Sequence, residues 1–258
     1  MLSEQNARLA AARRLTKRQA RREAGLFLAE GVQVVREALA ADVLVELFAT
    51  VDAADHNADL LSGVDWSPIS DRSAAALSET VTPQGLIAVC RTVDVPLVTA
   101  LDRKPQLVAV LVEPNDPGNA GTILRTADAA GAGLVIVAGG VDVYNGKAVR
   151  ASAGSIFHLD VVVDVAIQDA LAAATGAGLT TLATTGAGTR DLDELIADGT
   201  LAGPGMWLFG NEARGLPTSV LAAADVTVRV PIHGRAESLN LAAAAAVCLY
   251  ASARAQRL

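Results

Sequence analysis

The sequence predicts an α/β protein of two domains: a small amino-terminal α/β domain and a carboxyl-terminal domain on a mostly parallel sheet. Short apolar runs alternate with segments of helical periodicity, which is typical of strands covered by helices. The 258 residues are 52% hydrophobic but only 3% aromatic, which favours an aliphatic core. A weakly periodic stretch with two prolines, 92–105, separates the two patterns.

The amino-terminal domain is predicted to span residues 1–97, followed by a linker at 98–105. Its helices are predicted from apolar periodicity and its strands from short apolar runs. The predicted elements, in order, are helix at 5–22, strand at 26–30, helix at 32–40, strand at 43–50, helix after Ser73 and strand at 85–91.

The carboxyl-terminal domain, 106–258, carries continuous apolar runs of the kind found in buried parallel strands. Ligands bind such sheets outside the carboxyl ends of the strands, which draws attention to the loops after Val112, Thr184, Phe209 and Val230. The predicted strands lie at 106–112, 134–139, 159–165, 179–184, 206–210 and 226–230, with helices at 120–130 and 166–175.

Composition excludes several classes of protein. The longest apolar run, 241–251, is shorter than the roughly 18 residues that a membrane span needs. No apolar segment follows the charged amino terminus, so the plan of a secretory signal is missing and we expect a cytoplasmic protein. The two cysteines, Cys90 and Cys248, are far apart, and neither a disulfide scaffold nor a zinc site is predicted.

The first 22 residues are basic although the chain as a whole has a net charge of −7. They hold seven arginine and lysine side chains against one acid, Glu4. A basic segment on an acidic protein indicates a partner that carries phosphates, such as nucleic acid. A solvated basic helix without a partner is the alternative.

The loop after the first strand of the second domain can bind an anion. The run from Asp116 to Asn119, Asp-Pro-Gly-Asn, predicts a tight turn into a helix that starts near Ala120. Such a turn presents backbone N–H groups and the positive end of the helix dipole. Arg125 follows six residues after Asn119. An ordinary β-to-α turn with a surface arginine is the alternative.

Two further loops carry polar residues directly after a strand. Glu212 follows Gly210 and Asn211, and its carboxylate is costly there unless it is exposed or paired with a cation, for which Arg125 and Arg214 are candidates. In the last loop, Ser238 is predicted to cap a long Ala-rich helix, with Glu237 near the positive helix end. Capping alone would also explain Ser238.

The three loops together resemble the three motifs of the SpoU/TrmH class of SPOUT RNA methyltransferases. The matching segments are DPGNAGTILRTA at 116–127, LFGNEARGLP at 208–217 and VPIHGRAESLNLAAAAA at 230–246. A basic helix followed by GLFLAEGVQVVREAL, 25–39, resembles the substrate-binding domain that precedes the catalytic domain in many members. One departure is Glu113-Pro114-Asn115, which stands where the first motif usually opens with asparagine.

The resemblance implies methyl transfer from S-adenosylmethionine to a ribose 2′-hydroxyl of RNA, with 23S ribosomal RNA favoured over tRNA. It also implies a deep trefoil knot in the SPOUT domain, a homodimer and no metal ion. The catalytic residues it implies are Asn119, Arg125, Glu212, Ser238 and Asn240. The cofactor-binding residues it implies are Thr184, Gly186, Leu208, Gly210, Val230, Ile232 and Leu239.

RNA recognition is expected to rest on shape and phosphate contacts, because the chain has few aromatic side chains for base stacking. Arg125 either helps to deprotonate the 2′-hydroxyl or, since guanidinium stays protonated, stabilises negative charge. An inactive RNA-binding module is one alternative, and a dehydrogenase is another, although its fingerprint at 176–181 lacks the last glycine. The predicted RNA contacts are Arg13, Arg14, Lys17, Arg18, Arg21, Arg22, Lys147, Arg150 and Arg235.

Overall fold

A computed structural model describes residues 1–258 and contains thirteen α-helices and eleven β-strands. The helices are α1 Ala7–Arg14, α2 Arg18–Ala24, α3 Val32–Ala40, α4 Val51–His56, α5 Ala58–Leu61, α6 Asp71–Leu77, α7 Leu97–Asp102, α8 Pro117–Ala130, α9 Gly146–Ser152, α10 Ile167–Gly176, α11 Leu192–Ala197, α12 Thr218–Ala223 and α13 Leu241–Ala255. The strands are β1 Leu26–Glu30, β2 Leu44–Ala49, β3 Ser67–Pro68, β4 Leu86–Arg91, β5 Leu107–Val112, β6 Leu134–Ala138, β7 Asp160–Val163, β8 Thr180–Thr184, β9 Arg190–Asp191, β10 Gly205–Phe209 and β11 Val226–Arg229.

The chain forms two compact units. The first consists of Met1–Val93 together with Asp142–Phe157, and the second of Asp94–Val141 together with His158–Leu258. The predicted ranges place Asp142–Phe157 in the second domain, whereas in the structure this segment belongs to the first unit. The division into a substrate-binding domain at 1–97 and a catalytic domain at 106–258 stays a prediction about function.

The first unit is built on a four-stranded sheet in the order β1-β4-β2-β3. Strand β4 runs antiparallel to both β1 and β2, and β3 pairs parallel with β2. Helix α1 buries Leu9 and Ala12 against this sheet, where they pack with Phe48 and Ile87, while its arginines at 13 and 14 face solvent. The apolar spacing of α1 therefore separates a core face from a basic face.

Asp142–Phe157 is held in the first unit by polar and aromatic contacts. The Arg21 guanidinium donates to Asp142 Oδ2 from Nε at 2.9 Å and from Nη2 at 2.6 Å. Arg150 Nη1 donates to Glu30 Oε2 at 3.1 Å, and the ring centroids of Phe27 and Tyr144 are 4.8 Å apart. These contacts join residues more than a hundred positions apart in sequence.

The second unit contains one seven-stranded sheet in the order β7-β6-β5-β10-β8-β11-β9, and every pair in it is parallel. This confirms the predicted mostly parallel sheet. Strands β5, β6 and β10 are buried along their whole length, which explains why they appear in the sequence as unbroken apolar runs. Helix α13 covers one face, where Ser252 Oγ accepts a hydrogen bond of 2.9 Å from Trp207 Nε1.

The sheet order positions the functional loops. Strands β5, β10, β8 and β11 are consecutive neighbours, so their carboxyl ends, and the loops that follow them, lie side by side at one edge. The trefoil knot expected from the family resemblance stays a prediction. None of the helices is both long enough and apolar enough to cross a membrane.

The helix predicted at 5–22 is divided into α1 and α2, and two predicted helix starts also need correction. Helix α13 begins at Leu241, and its cap is Asn240 rather than Ser238: Asn240 Oδ1 accepts from the backbone N–H of Ala242 at 2.9 Å and of Ala243 at 3.4 Å. Ser238 lies two residues upstream and is exposed. Helix α8 begins earlier than predicted, at Pro117, because Asp116 caps it and proline is well suited to the first helical turn.

Candidate active site

The carboxylate of Glu212, in the loop after β10, contacts the loop after β5. Its Oε2 accepts a hydrogen bond of 2.9 Å from the backbone N–H of Asn115, and its Oε1 accepts one of 3.1 Å from that of Asp116. Oε1 also accepts 2.9 Å from Nδ2 of Asn119. Three donors therefore converge on one carboxylate at the carboxyl edge of the sheet.

Asn119 connects this cluster to the third loop. Its Oδ1 accepts a hydrogen bond of 3.2 Å from Nδ2 of Asn240, while the Oδ1 of Asn240 caps α13. The orientation of both side-chain amides is therefore determined. The Glu212 carboxylate requires the NH2 group of Asn119 as a donor, and the N–H groups of α13 require the oxygen of Asn240 as an acceptor. We call the set Glu212, Asn119 and Asn240 the polar triad. It joins three predicted catalytic residues and all three motifs.

Hydrogen bonding keeps Glu212 ionised. Partial burial opposes the charged form, but the Asn119 amide and the backbone N–H groups of Asn115 and Asp116 outweigh it, so the pKa of Glu212 lies below its usual value. The carboxylate accepts bonds and has no proton to donate at neutral pH. It is therefore suited to holding groups in place.

Neither arginine pairs with Glu212. The residue is exposed, which is the other of the two alternatives that the sequence left open. Arg214 Nη2 instead donates to Glu113 Oε2 at 2.9 Å. Arg125 is exposed and forms no hydrogen bond or ion pair within the chain. Backbone N–H groups and an amide satisfy Glu212 without a counter-charge, and the Arg125 guanidinium stays available to a ligand.

The loop after β10 is a tight turn with little room to shift. Asn211 and Gly215 exchange backbone hydrogen bonds of 3.1 and 2.8 Å, and Asn211 Oδ1 accepts from the N–H of Ala213 and Arg214. A Cβ at Gly210 would lie 2.3 Å from the carbonyl carbon of Gly215. Sequence reasoning missed this role of Asn211; its signal is an asparagine that opens a short turn closed by glycine.

The predicted cofactor residues surround the next loops along the same edge. Thr184 Oγ1 donates to the backbone oxygen of Leu208 at 2.8 Å, which ties the ends of β8 and β10. A Cβ on Gly186 would meet nothing within 4 Å, so there is open space beside this residue. Leu208 itself is fully buried in the core, so its side chain cannot line a pocket and only its backbone faces that edge.

The loop after β11 combines exposed apolar side chains with backbone groups that have no partner in the chain. Residues 231–239 form no hydrogen bond with the rest of the chain. Within them Ile232 and Leu239 are 37% and 39% exposed, and Ser238 is exposed as well. Val230, at the start of the loop, is half-buried. Free backbone groups beside exposed aliphatic side chains suit a nucleoside with an amino acid attached, such as S-adenosylmethionine.

The predicted RNA contacts fall into two groups. Arg21 is only 4% exposed, with Asp142 and the Leu15 carbonyl as partners, so it serves the fold and is not a phosphate contact. Arg150 is half-buried and paired with Glu30, which gives it a structural role too. The remaining predicted contacts are exposed: Arg13, Arg14, Lys17, Arg18, Arg22, Lys147 and Arg235.

No group of three or more histidine, cysteine, aspartate or glutamate residues is arranged to hold a metal ion. Both cysteines are buried and free, and burial raises the pKa of each thiol to about 12.

Comparison with known proteins gives matches over both units. The model of the SpoU rRNA Methylase family matches residues 106–250, and that of the MRM3-like substrate binding domain matches residues 6–88. RlmP of Bacillus subtilis strain 168, a 23S rRNA (guanosine(2553)-2'-O)-methyltransferase, is 34% identical over 241 residues, which cover 92% of each chain.

Solved structures agree with these matches. An AdoMet-bound rRNA methyltransferase from Sinorhizobium meliloti is 30% identical with a TM-score of 0.83, and the match covers 98% of this chain and 97% of the other. The SpoU methyltransferase AviRb from Streptomyces viridochromogenes, in complex with AdoMet, is 30% identical with a TM-score of 0.81, and 98% of each chain is covered.

The range matched by the family model covers the residues that the geometry brings together. The matched range 106–250 includes all three motif segments, and the polar triad draws one residue from each of them. The family resemblance stated from the motifs is therefore confirmed: this chain belongs to the SpoU rRNA methylase family.

Proposed function

We propose that this chain transfers a methyl group from S-adenosylmethionine to a ribose 2′-hydroxyl of 23S ribosomal RNA. The observation that carries the proposal is the contact of Glu212 with the loop after β5, beside a loop after β11 whose polar backbone is unused. RlmP, a relative over almost the whole chain, is named for 2′-O-methylation of 23S rRNA. AdoMet is bound in two of the similar structures.

The residues present fit the cofactor. Ile232 and Leu239 offer exposed aliphatic surface for the adenine, and the backbone of 231–239 offers donors and acceptors. The tight turn at Gly210 and the open space beside Gly186 lie at the same carboxyl edge of the sheet. The hydrogen bond from Thr184 to the Leu208 oxygen lies there too. When bound, S-adenosylmethionine supplies an electrophilic methyl group on its sulfonium.

Arg125 is the residue that we assign to the reacting oxygen. Its guanidinium carries a positive charge and has no partner within the chain, so it can face the negative charge that develops on the attacking 2′-oxygen. Asn119, six residues earlier on the same helix, is fixed by Glu212 and Asn240 and positions the ribose. Ser238, exposed in the loop after β11, adds a hydroxyl group beside the polar triad.

RNA binding is assigned to the exposed basic side chains of the amino-terminal helices. Arg13 and Arg14 on α1, and Lys17, Arg18 and Arg22 around α2, all face solvent. Such contacts recognise backbone phosphates and weaken as the salt concentration rises. Lys147 and Arg235 are further candidates, each exposed.

We also propose that the protein is a homodimer with a trefoil knot in the second unit. Helix α13 supports the dimer: Val247 and Tyr250 are 43% and 53% exposed on one face of it. Apolar side chains spaced by three residues on a helix form a surface that a second copy could cover. A cytoplasmic location follows from the proposed ribosomal RNA substrate.

Labelled methyl transfer tests the proposed function. The protein is incubated with S-adenosylmethionine tritiated on the methyl group and with total RNA from a strain that lacks it, and the RNA is then separated and digested to nucleosides. We expect label on one ribose of 23S rRNA and none with the Arg125→Ala variant. Label confined to tRNA would show that the substrate is tRNA and not 23S rRNA. Tight RNA binding without any label would favour an inactive RNA-binding module.

A further inference from the structure

Glu113 has a backbone conformation that its side chain does not favour. Its φ is +49°, in the left-handed region where asparagine and glycine are more common than glutamate. The backbone is held there from both sides: its N–H donates to the Ala138 oxygen at 3.0 Å, and its oxygen accepts 2.8 Å from Asn211 Nδ2. Neither bond involves the side-chain carboxylate.

The Glu113 carboxylate pairs with Arg214 in the open. Oε2 of Glu113 lies 2.9 Å from Nη2 of Arg214, and the two side chains are 54% and 72% exposed. Exposed pairs of this kind contribute little stability, so another anion can displace the carboxylate at small cost. A phosphate matches the planar donor fork of guanidinium as well as a carboxylate does.

Arg214 is also well placed for a ligand of the active site. It follows Glu212 by two residues, in the turn whose backbone Asn211 fixes through the N–H groups of Ala213 and Arg214. The backbone at the base of the side chain is thus fixed, while its guanidinium lies in solvent with one ion-pair partner. A fixed base with a weakly held cationic tip suits an incoming polyanion.

We propose that Arg214 is a binding site for a backbone phosphate of the RNA and that Glu113 occupies this site until RNA arrives. The inference rests on the proposed function and adds a substrate contact to it. We favour RNA over the carboxylate of the cofactor because the Arg214 side chain projects into solvent, where a large polyanion reaches it.

The test is filter binding of 23S rRNA, purified from a strain that lacks this protein, over a range of salt concentrations. Arg214→Ala is expected to weaken binding roughly fivefold and to reduce the salt slope by about one, as loss of one phosphate contact should. Arg214→Lys keeps the charge and retains most of the slope. Arg103→Ala is the matched control, because Arg103 is an exposed arginine paired with Asp160 at the opposite ends of the strands.

Glu113→Asn tests the displaced carboxylate. Asparagine tolerates the positive φ but removes the charge, so this variant is expected to bind RNA about two- to fivefold more tightly. In the Arg214→Ala background, Glu113→Asn should change RNA affinity less, because the arginine for which Glu113 competes with RNA is missing. Thermal melts of each variant establish that the fold is intact.

Three results of the RNA-binding measurements would overturn the inference. They are an unchanged dissociation constant and salt slope for Arg214→Ala, an equal loss for Arg103→Ala, and weaker RNA binding by Glu113→Asn. A loss of cofactor affinity in Arg214→Ala without a change in RNA binding would assign the site to the cofactor and overturn it as well. Because the readout is binding, failure of methyl transfer by the wild type would count against the proposed function alone.

Discussion

Asn119 Nδ2 donates to Glu212 Oε1 at 2.9 Å across 93 residues of sequence, and this bond links two of the three motif loops. Because the other side of the Asn119 amide accepts from Asn240, its orientation is determined at both ends. A side chain fixed in this way loses little freedom when a substrate binds. Contacts within the chain alone therefore fix the loop after β5.

Glu212→Gln should slow methyl transfer without unfolding the protein. Glutamine has one oxygen and one NH2 group where three donors now converge, so at least one donor loses its acceptor. We expect kcat to fall on the order of ten- to a hundredfold through misplacement of the loop. Single-turnover rates together with circular dichroism check this, and a rate equal to that of the wild type would remove Glu212 from the site.

The pH dependence of stability should also report on Glu212. Its pKa is lowered in the folded protein, so its contribution is complete above the usual carboxyl value of about 4.3 and is lost as the pH falls through the lowered pKa. The difference in free energy of unfolding between wild type and Glu212→Gln should be constant above about pH 5.5 and shrink in more acidic solution. Urea titrations across this range measure it. A difference that grows in acid would contradict the assignment.

Arg125→Ala should abolish most of the activity while leaving RNA binding nearly unchanged. Arg125 has no structural partner, so its loss removes only what it offers to the reaction. We expect kcat to fall on the order of 10²- to 10³-fold, as for other groups that stabilise developing charge. Arg125→Lys, which keeps a positive charge, should recover part of the rate. Full activity in Arg125→Ala would show that the mechanistic assignment is wrong.

Arg21 and Arg14 should separate stability from RNA binding. Removing Arg21 leaves Asp142 without its partner in a nearly buried position, and we expect a loss of about 3–5 kcal/mol in the free energy of unfolding. Arg14→Ala, at an exposed position, should change stability by less than about 0.5 kcal/mol but reduce the salt dependence of RNA binding. Denaturant titration and filter binding measure the two effects. Unchanged stability together with a reduced salt dependence of RNA binding on removal of Arg21 would instead assign Arg21 to RNA binding.

Much of the second unit could be predicted because its strands are buried on both faces. Strands β5, β6 and β10 appear in the sequence as unbroken apolar runs, and the rule for parallel sheets directs attention to the loops that follow them. The sheet order was beyond prediction, since it depends on pairings such as Leu208 with Ala183 that leave no local trace.

The wrong predictions have physical causes of the same kind. Serine and asparagine are both good capping residues, so residue type could not distinguish Ser238 from Asn240. In the structure Asn240 caps α13 and also contacts Asn119, which is distant in sequence. Backbone N–H donors to Glu212 have no signature in the sequence, so only exposure or an arginine partner could be considered for its carboxylate. The partner of Arg21 lies 121 residues away, so its burial was invisible in a basic run.

The most direct test of the account is single-turnover methyl transfer by Asn119→Ala on the RNA labelled by the wild type. Asn119 connects Glu212 with Asn240, so the account predicts a rate at least about a hundredfold below that of the wild type, with RNA binding retained. Arg103→Ala, the control on the opposite edge of the sheet, should react at the wild-type rate. An undiminished rate in Asn119→Ala would contradict the claim that the polar triad organises the active site.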